Sequence, residues 1–121
     1  MNIFSIFSKK TVDLSGQNVT TFVGEGCVIS GNIKSREDFL RIDGVIEGDV
    51  FADHGLILGE TGVVNGDVKT QEIVVHGTIN GSLHSKQLEI KSSGQIKGSI
   101  ITHKIQMDMG ATYNGLLTII K

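Results

Sequence analysis

The stretch Leu-Arg-Ile-Asp-Gly-Val-Ile-Glu-Gly-Asp-Val, residues 40–50, alternates apolar and polar side chains around two glycines. Its second glycine begins a Gly-x-aliphatic phrase that occurs six times, at intervals of 17, 18, 15, 17 and 17 residues. The six glycines are Gly31, Gly48, Gly66, Gly81, Gly98 and Gly115. A spacing this constant over about a hundred residues is typical of a solenoid, in which one short unit stacks on copies of itself.

Three columns of the aligned copies contain no charge, whereas the residues that flank each glycine are polar everywhere except at Leu116. The column two residues after the glycine holds Ile33, Val50, Val68, Leu83, Ile100 and Leu117. The column two residues before it holds Ile29, Ile46, Val64, Ile79, Ile96 and Tyr113, and the column eight before it holds Val23, Leu40, Leu58, Ile73, Ile90 and Met107. Alternation with period two indicates strands with one buried face. We therefore predict a coil of short strands with these columns pointing inward.

A second glycine precedes the first by four residues in the middle copies, at Gly44, Gly62, Gly77 and Gly94. We expect a bend there that requires a positive φ or leaves no room for a Cβ atom. The copies differ in length just upstream of this glycine, which places the insertions at a corner. Six turns at the usual strand spacing of ~4.8 Å give a rod of roughly 30 Å.

Two other architectures fit parts of the pattern. Asn-Gly pairs at 65–66, 80–81 and 114–115 are also strong hairpin signals, so an antiparallel meander or sandwich is the main alternative. An α-helical solenoid is disfavoured because windows rich in Val, Ile, Thr and Gly are poor helix formers.

Composition limits the function. A chain of 121 residues with 39% hydrophobic content forms one domain with a single elongated core. The net charge of −2 with interspersed signs predicts no basic face for nucleic acid. No motif for metal, phosphate or another cofactor is present, so we expect none. Cys27 is the only cysteine, and we expect a small buried residue in a reducing compartment.

The first ten residues differ chemically from the repeats. Apolar side chains at helical spacing are followed by two lysines, an arrangement that suits the headgroup layer of an anionic membrane. The residues concerned are Ile3, Phe4, Ile6, Phe7, Lys9 and Lys10. We predict a tail over residues 1–18, with a membrane-targeting segment at 1–10, and a coil over residues 19–121. No run of apolar residues is long enough to span a bilayer.

The ends of such a coil are predicted to be adhesive. A terminal turn exposes unpaired backbone groups and an uncovered aliphatic layer, unless a cap covers it. The last copy is the most apolar, through Tyr113, Leu116, Leu117, Ile119 and Ile120, and no cap is expected after it. At the other end, Val23 and Ile29 belong to the first turn. We predict that these seven residues form the contacts of a homopolymer.

These phrases resemble the bactofilins of bacteria. The resemblance covers roughly residues 20–121 and is carried by Val-Gly-Glu-Gly at 23–26, Ile-Ser-Gly-Asn-Ile at 29–33, the stretch 40–50, Gly-Asp-Val-Lys-Thr at 66–70 and Gly-Gln-Ile-Lys-Gly-Ser-Ile at 94–100. It implies an all-β fold, a single-stranded right-handed β-helix of about six turns and roughly triangular cross-section.

The resemblance further implies assembly end to end into non-polar filaments without nucleotide, on the cytoplasmic face of the membrane. A short N-terminal segment binds lipid in many members, and the family serves as a scaffold in cell shape or cell-wall synthesis, with proteins of those processes as partners. The chain departs from the family in having no proline-containing tails. Tyr113 and the leucines also stand where the family's last turn often carries a phenylalanine.

The enzyme alternative is a hexapeptide-repeat acyltransferase, a left-handed β-helix with about eighteen residues per turn. Its general base is a histidine in a crevice between subunits, and the candidates by type are His54, His76, His84 and His103. None lies in an inserted loop of the pattern. A left-handed coil keeps a strict six-residue register, which the aliphatic columns do not, and parallel strands generally prefer right-handed crossovers.

Overall fold

The computed structural model describes residues 19–36 and 39–120, in which every regular element is a β-strand. The strands are β1 (Val19–Val23), β2 (Val28–Ser30), β3 (Ile33–Ser35), β4 (Phe39–Ile42), β5 (Val45–Glu47), β6 (Val50–Leu58), β7 (Val63–Asn65), β8 (Val68–Val75), β9 (Thr78–Asn80), β10 (Leu83–His84), β11 (Gln87–Ile90), β12 (Gln95–Thr102), β13 (Lys104–Met107) and β14 (Thr112–Ile119). They form one sheet in which every pairing between described strands is parallel. The hairpin alternative is therefore wrong, and the chain is a parallel β-solenoid of about six turns.

Each turn contributes three strand segments, which stack on their counterparts as three walls. Wall A contains β2, β5, β7, β9 and the first residues of β12 and β14. Wall B contains β3, the beginning of β6 and of β8, β10 and the ends of β12 and β14. Wall C contains β1, β4, the ends of β6 and β8, β11 and β13.

Two of the predicted columns are confirmed residue for residue by the strand register. Ile46, Val64, Ile79 and Ile96 stack on wall A, and Val50, Val68, Leu83 and Ile100 stack on wall B. All of these side chains are at most 2% exposed, so they form the centre of the core.

The third predicted column is wrong because it merges two files of wall C. A file is a row of side chains that stack on one another from turn to turn. One file holds Leu40, Leu56, Ile73, Leu88 and Ile105, and the other holds Val23, Ile42, Leu58, Val75, Ile90 and Met107. Between the end of wall C and the corner glycine or its equivalent there is one residue in two of the turns, Asp43 or His76, and three in the others. Counting back from the glycine therefore reaches one file in some turns and its neighbour in the rest. The insertions do lie at a corner, as predicted.

A further inward file consists of small side chains at the end of wall B and was not predicted. It holds Ser35, Ala52, Thr70, Ser85 and Thr102, all at most 9% exposed. The buried hydroxyls are satisfied locally, since Ser85 Oγ donates to Thr102 Oγ1 at 3.2 Å and Thr102 Oγ1 donates to the carbonyl oxygen of Lys104 at 3.1 Å. Among the described residues, no buried side-chain polar atom lacks a partner.

The corner glycines are required by close contact between successive turns. A Cβ atom on Gly77 would lie 2.2 Å from the carbonyl oxygen of Gly62 in the preceding turn, and its φ is not in the left-handed region. Cys27 occupies the equivalent position in the first described turn, where no described turn precedes it. Its side chain is exposed, so the expectation of a buried cysteine is wrong.

Substitution of the repeat glycines tests this packing. Gly31 has φ +131° with no heavy atom near an added Cβ, whereas Gly81 has φ +149° and its Cβ would lie 2.1 Å from the carbonyl oxygen of Gly66. Gly31→Ala should lower the free energy of unfolding by about 1–3 kcal/mol through backbone strain alone. Gly81→Ala should cost more, by roughly a further 1–3 kcal/mol of overpacking. Urea denaturation measures both, and equal losses would contradict the stacking of glycine on carbonyl.

Candidate assembly interface

The last turn, formed by β13 and β14, carries most of the exposed apolar surface in the described part of the chain. Eight large apolar side chains in the described residues are exposed outside the core. Six of them belong to this turn: Met107, Met109, Leu116, Leu117, Ile119 and Ile120. Their exposed fractions run from 37% for Leu117 to 95% for Met109. An apolar patch concentrated at one end of a molecule marks a contact surface.

Part of this surface is the open end of the core. Leu117 stacks on Ile100 and Ile119 stacks on Thr102, and both lower residues are fully buried. The upper residues point inward in the same way but have no described turn above them, which leaves them 37% and 53% exposed. Together with Met107, Tyr113 and the half-buried Ile105, they form what we call the terminal face.

Tyr113 closes the wall A side of the terminal face. It stacks on Ile96 and is half-buried, and its hydroxyl donates a long hydrogen bond of 3.5 Å to the carbonyl oxygen of Gly98. Burial raises the pKa of the Tyr113 phenol, so this side chain stays neutral and contributes an apolar ring to the face.

Leu116 and Ile120, which were predicted to share this interface, point in a different direction. Leu116 pairs with Ser99 in an outward file, and Ile120 follows β14 with its amide donating to the carbonyl oxygen of Thr102. Leu116 is 68% exposed on the outer side of wall B. The five predicted residues of the last turn therefore divide into an end-facing set, Tyr113, Leu117 and Ile119, and a side-facing set, Leu116 and Ile120.

A ladder of polar side chains stops below the last turn. Asp49 donates its amide to Asn32 Oδ1 at 3.1 Å, Asp67 donates its amide to Asp49 Oδ1 at 2.9 Å, and Ser82 continues the series with its amide donating to Asp67 Oδ1 at 3.1 Å. This ladder ties the corner between walls A and B from turn to turn. Among the described residues the series ends at Ser82, and Ser99 and Leu116 follow in the same file. Leu116 has no side-chain acceptor to offer a further turn.

The opposite end differs from the terminal face. Val23 is 7% exposed and belongs to the core, while Ile29 is half-buried and packs against it. Val28 is 64% exposed but points outward from wall A. The role of Val23 and Ile29 in a contact between copies stays a prediction. The predicted membrane segment, including Lys9 and Lys10, lies outside the described residues.

An open groove of about 1010 Å³ lies on the outer side of wall C. Its floor includes Phe39 and Ile57, and its charged residues are largely paired: Arg41 Nε lies 2.9 Å from Asp43 Oδ2, and Lys91 Nζ lies 3.1 Å from Glu89 Oε2. His76 lines this groove, and burial, followed by the charges of Lys91 and Arg41, lowers its pKa.

The other candidates of the enzyme alternative, His54, His84 and His103, are exposed on the walls. In the part of the chain that the structure describes, no cluster of His, Cys, Asp and Glu has the composition of a metal site. The same residues include no helix that could cross a bilayer.

Comparison with known proteins settles the family of the chain. A family model described as bactofilin, polymer-forming cytoskeletal, matches residues 21–118. The chain belongs to the bactofilin family. It is 31% identical over 96 residues to bactofilin BacO of Myxococcus xanthus, which covers 78% of this chain and 75% of that relative.

A second relative, bactofilin BacP of Myxococcus xanthus, is 28% identical over 107 residues, or 88% of this chain, and the match spans 44% of the longer BacP. Among solved structures, the fold is similar to Thermus thermophilus bactofilin in double helical filaments, with a TM-score of 0.74, 22% identity and coverage of 80% of this chain and 98% of that one. A crystal structure of a point mutant of the Thermus protein gives a TM-score of 0.70 at 22% identity, over 73% and 98% of the two chains.

Family membership makes this chain a filament-forming cytoskeletal protein that polymerises with itself. It favours a scaffold over the acyltransferase alternative, because the matched bactofilins are structural proteins. The resemblance read from the repeated phrases is confirmed.

Charge placed on the terminal face should block assembly. In Leu117→Asp/Ile119→Asp, joining two terminal faces would bury uncompensated carboxylates, a cost of several kcal/mol. We expect monomers or short oligomers by light scattering and no filaments in negative-stain micrographs. Gln87→Asp/Gln95→Asp is the matched control, since it adds the same charge at exposed outward positions one turn below. Normal filaments from the terminal-face variant would contradict the assignment.

Proposed function

We propose that this bactofilin assembles end to end through the terminal face and forms filaments on the cytoplasmic face of the membrane, where they scaffold proteins of cell shape or cell-wall synthesis. The observation that supports this most strongly is the exposure of Leu117 and Ile119 directly above the fully buried Ile100 and Thr102. Contact with another apolar face would return these side chains to the environment that their files have in every lower turn.

Assembly of this kind needs no nucleotide. Burial of an aliphatic side chain contributes about 1.5–3 kcal/mol when it is complete, and the free edge of β14 offers backbone hydrogen bonds to a second edge strand. Both contributions are present as soon as two copies meet. Salt screens neither of them strongly, so the filaments should tolerate high ionic strength.

The junction that fits these residues best joins two terminal faces. The exposed large apolar side chains of the described residues concentrate at this end, whereas the first turn contributes only Val28. A face that is apolar throughout is self-complementary, and a twofold axis satisfies both partners at once. A filament then requires a second twofold junction between the opposite ends, which makes it non-polar.

In this proposal, residues 1–10 bind the membrane. A single short segment with four apolar side chains and two lysines binds lipid weakly, since each lysine near an anionic surface contributes about 1 kcal/mol. A filament presents many such segments at once, and later contacts become effectively intramolecular. Polymerisation and membrane binding therefore support each other.

Vesicle flotation tests this coupling. The full chain should float with anionic vesicles, and deletion of residues 1–10 should remove most of the binding. The non-polymerising Leu117→Asp/Ile119→Asp variant keeps the segment but should bind about 100-fold more weakly, because it loses multivalency. The Gln87→Asp/Gln95→Asp variant should float like the parent protein. Equal affinity of the monomeric variant and the filament would show that membrane binding does not depend on assembly.

A further inference from the structure

We propose that the outer side of wall B is a second membrane-binding surface, which lies flat on anionic lipid when the filament is bound. The inference rests on the membrane association in the proposed function and adds a defined orientation to it. The partner is the headgroup layer of an anionic bilayer, recognised by unpaired cations that surround exposed apolar side chains.

The central outward file of wall B has the composition of an interfacial surface. Strand register stacks Phe51 directly between Lys34 and Lys69, followed by His84 and Ile101. Phe51 is 37% exposed, and with the two lysines and Asp53 it lines a shallow depression of about 300 Å³. No carboxylate occurs in this file. An aromatic ring with flanking lysines is the combination that binds the boundary between headgroups and acyl chains.

The neighbouring outward positions add further cations at the same side. Arg36 and Lys86 are exposed at the far edge of wall B, where Asp53 is the carboxylate among the described residues. The aspartates at the near edge, Asp49 and Asp67, belong to the corner ladder and accept backbone amides. Four of the lysines and arginines in the described residues therefore lie on this wall, together with these three aspartates.

Among the described residues, these four cations have no ion-pair partner, unlike Arg41 and Lys91. In the ranges 19–36 and 39–120, the cations that form salt bridges are Arg41 and Lys91, both on wall C. Lys34, Arg36, Lys69 and Lys86 have no carboxylate within salt-bridge distance among the same residues. An unpaired cation gives up only hydration and side-chain freedom on meeting a lipid phosphate, whereas a paired one must also give up its partner.

The side-facing apolar residues extend the same surface. Leu116 and Ile120 point outward from wall B in the last turn, where Leu116 pairs with Ser99. Val19, the first residue of β1, lies at the edge of wall C that adjoins wall B, and it pairs with Phe39. Residues 1–18 therefore join the solenoid at the border of the proposed surface, so the segment and the wall can contact one membrane.

Tryptophan reporters test the orientation, because the chain contains no tryptophan. Phe51→Trp places a single indole on wall B, and Gln95→Trp places one at an exposed position on wall A. With anionic vesicles that contain brominated lipid, the emission of Phe51→Trp should shift to the blue and be quenched. The emission of Gln95→Trp should stay as in buffer. Both proteins are otherwise full-length.

The outcomes of this experiment distinguish lipid from a second copy of the chain as the partner of wall B. If both proteins float but the indole at position 51 shows no change, the N-terminal segment binds alone and the proposal is overturned. A shift at position 51 on filament formation without vesicles would mean that a second copy covers wall B, which also overturns it. If the parent chain does not float at all, the membrane association in the proposed function has failed first.

Charge reversal gives an independent measure. Lys34→Glu/Lys69→Glu should lower vesicle affinity at least about tenfold while leaving filaments in buffer intact. Lys97→Glu/Lys104→Glu changes the net charge equally at exposed positions on walls A and C and should have a clearly smaller effect. Equal losses in the two variants would indicate a response to net charge alone and would refute a specific wall.

Discussion

Each turn of the solenoid rests on the one before it with a corner glycine against a backbone carbonyl oxygen. At Gly48, Gly66, Gly81 and Gly98, an added Cβ would lie only 2.1 or 2.2 Å from that oxygen. The contact fixes the distance between turns at the strand spacing and keeps the inward files in line over about six turns. The exposed apolar end follows from this stacking. Within a file, each side chain is buried by its neighbours in the turns below and above, and the last member lacks the upper neighbour.

The terminal face is the consequence of that incompleteness. Leu117 and Ile119 are chemically ordinary core residues that lack an upper neighbour among the described residues. The polar ladder at the corner between walls A and B ends below Leu116, so this corner of the last turn has neither a charged side chain nor a side-chain acceptor for a backbone amide. The same stacking that stabilises the rod thus leaves an apolar end exposed, and filament formation requires no conformational change.

The repeated glycine phrase was sufficient to predict the solenoid and the files through Ile46 and Val50, because the chain between these positions has constant length. The files of wall C were assigned incorrectly because the number of residues between wall C and the corner glycine is one in some turns and three in others. Counting a fixed number of residues back from Gly48 or Gly66 cannot follow that variation. Cys27 is exposed because no described turn precedes it, which a column of equivalent residues does not reveal. The small file through Thr70 and Thr102 was missed because polar residues do not signal an interior in a sequence pattern.

The division of the predicted interface into end-facing and side-facing residues also required the structure. Leu116 and Leu117 are adjacent in sequence, yet strand alternation directs one outward from wall B and the other toward the core. Similarly, cations that are scattered along the chain meet on one wall because residues 17 or 18 apart stack directly on each other. Periodicity alone identifies such neighbours only where the turn length is known.

Helical reconstruction of the filaments by cryo-electron microscopy tests the central claim most directly. If copies join through their open ends, each subunit should advance the filament by roughly 30 Å, the height of six stacked turns. The density at one junction should show β14 of one copy against β14 of the next, with Leu117 and Ile119 enclosed. Filaments in which the subunits associate through their walls and the terminal face remains in solvent would contradict it.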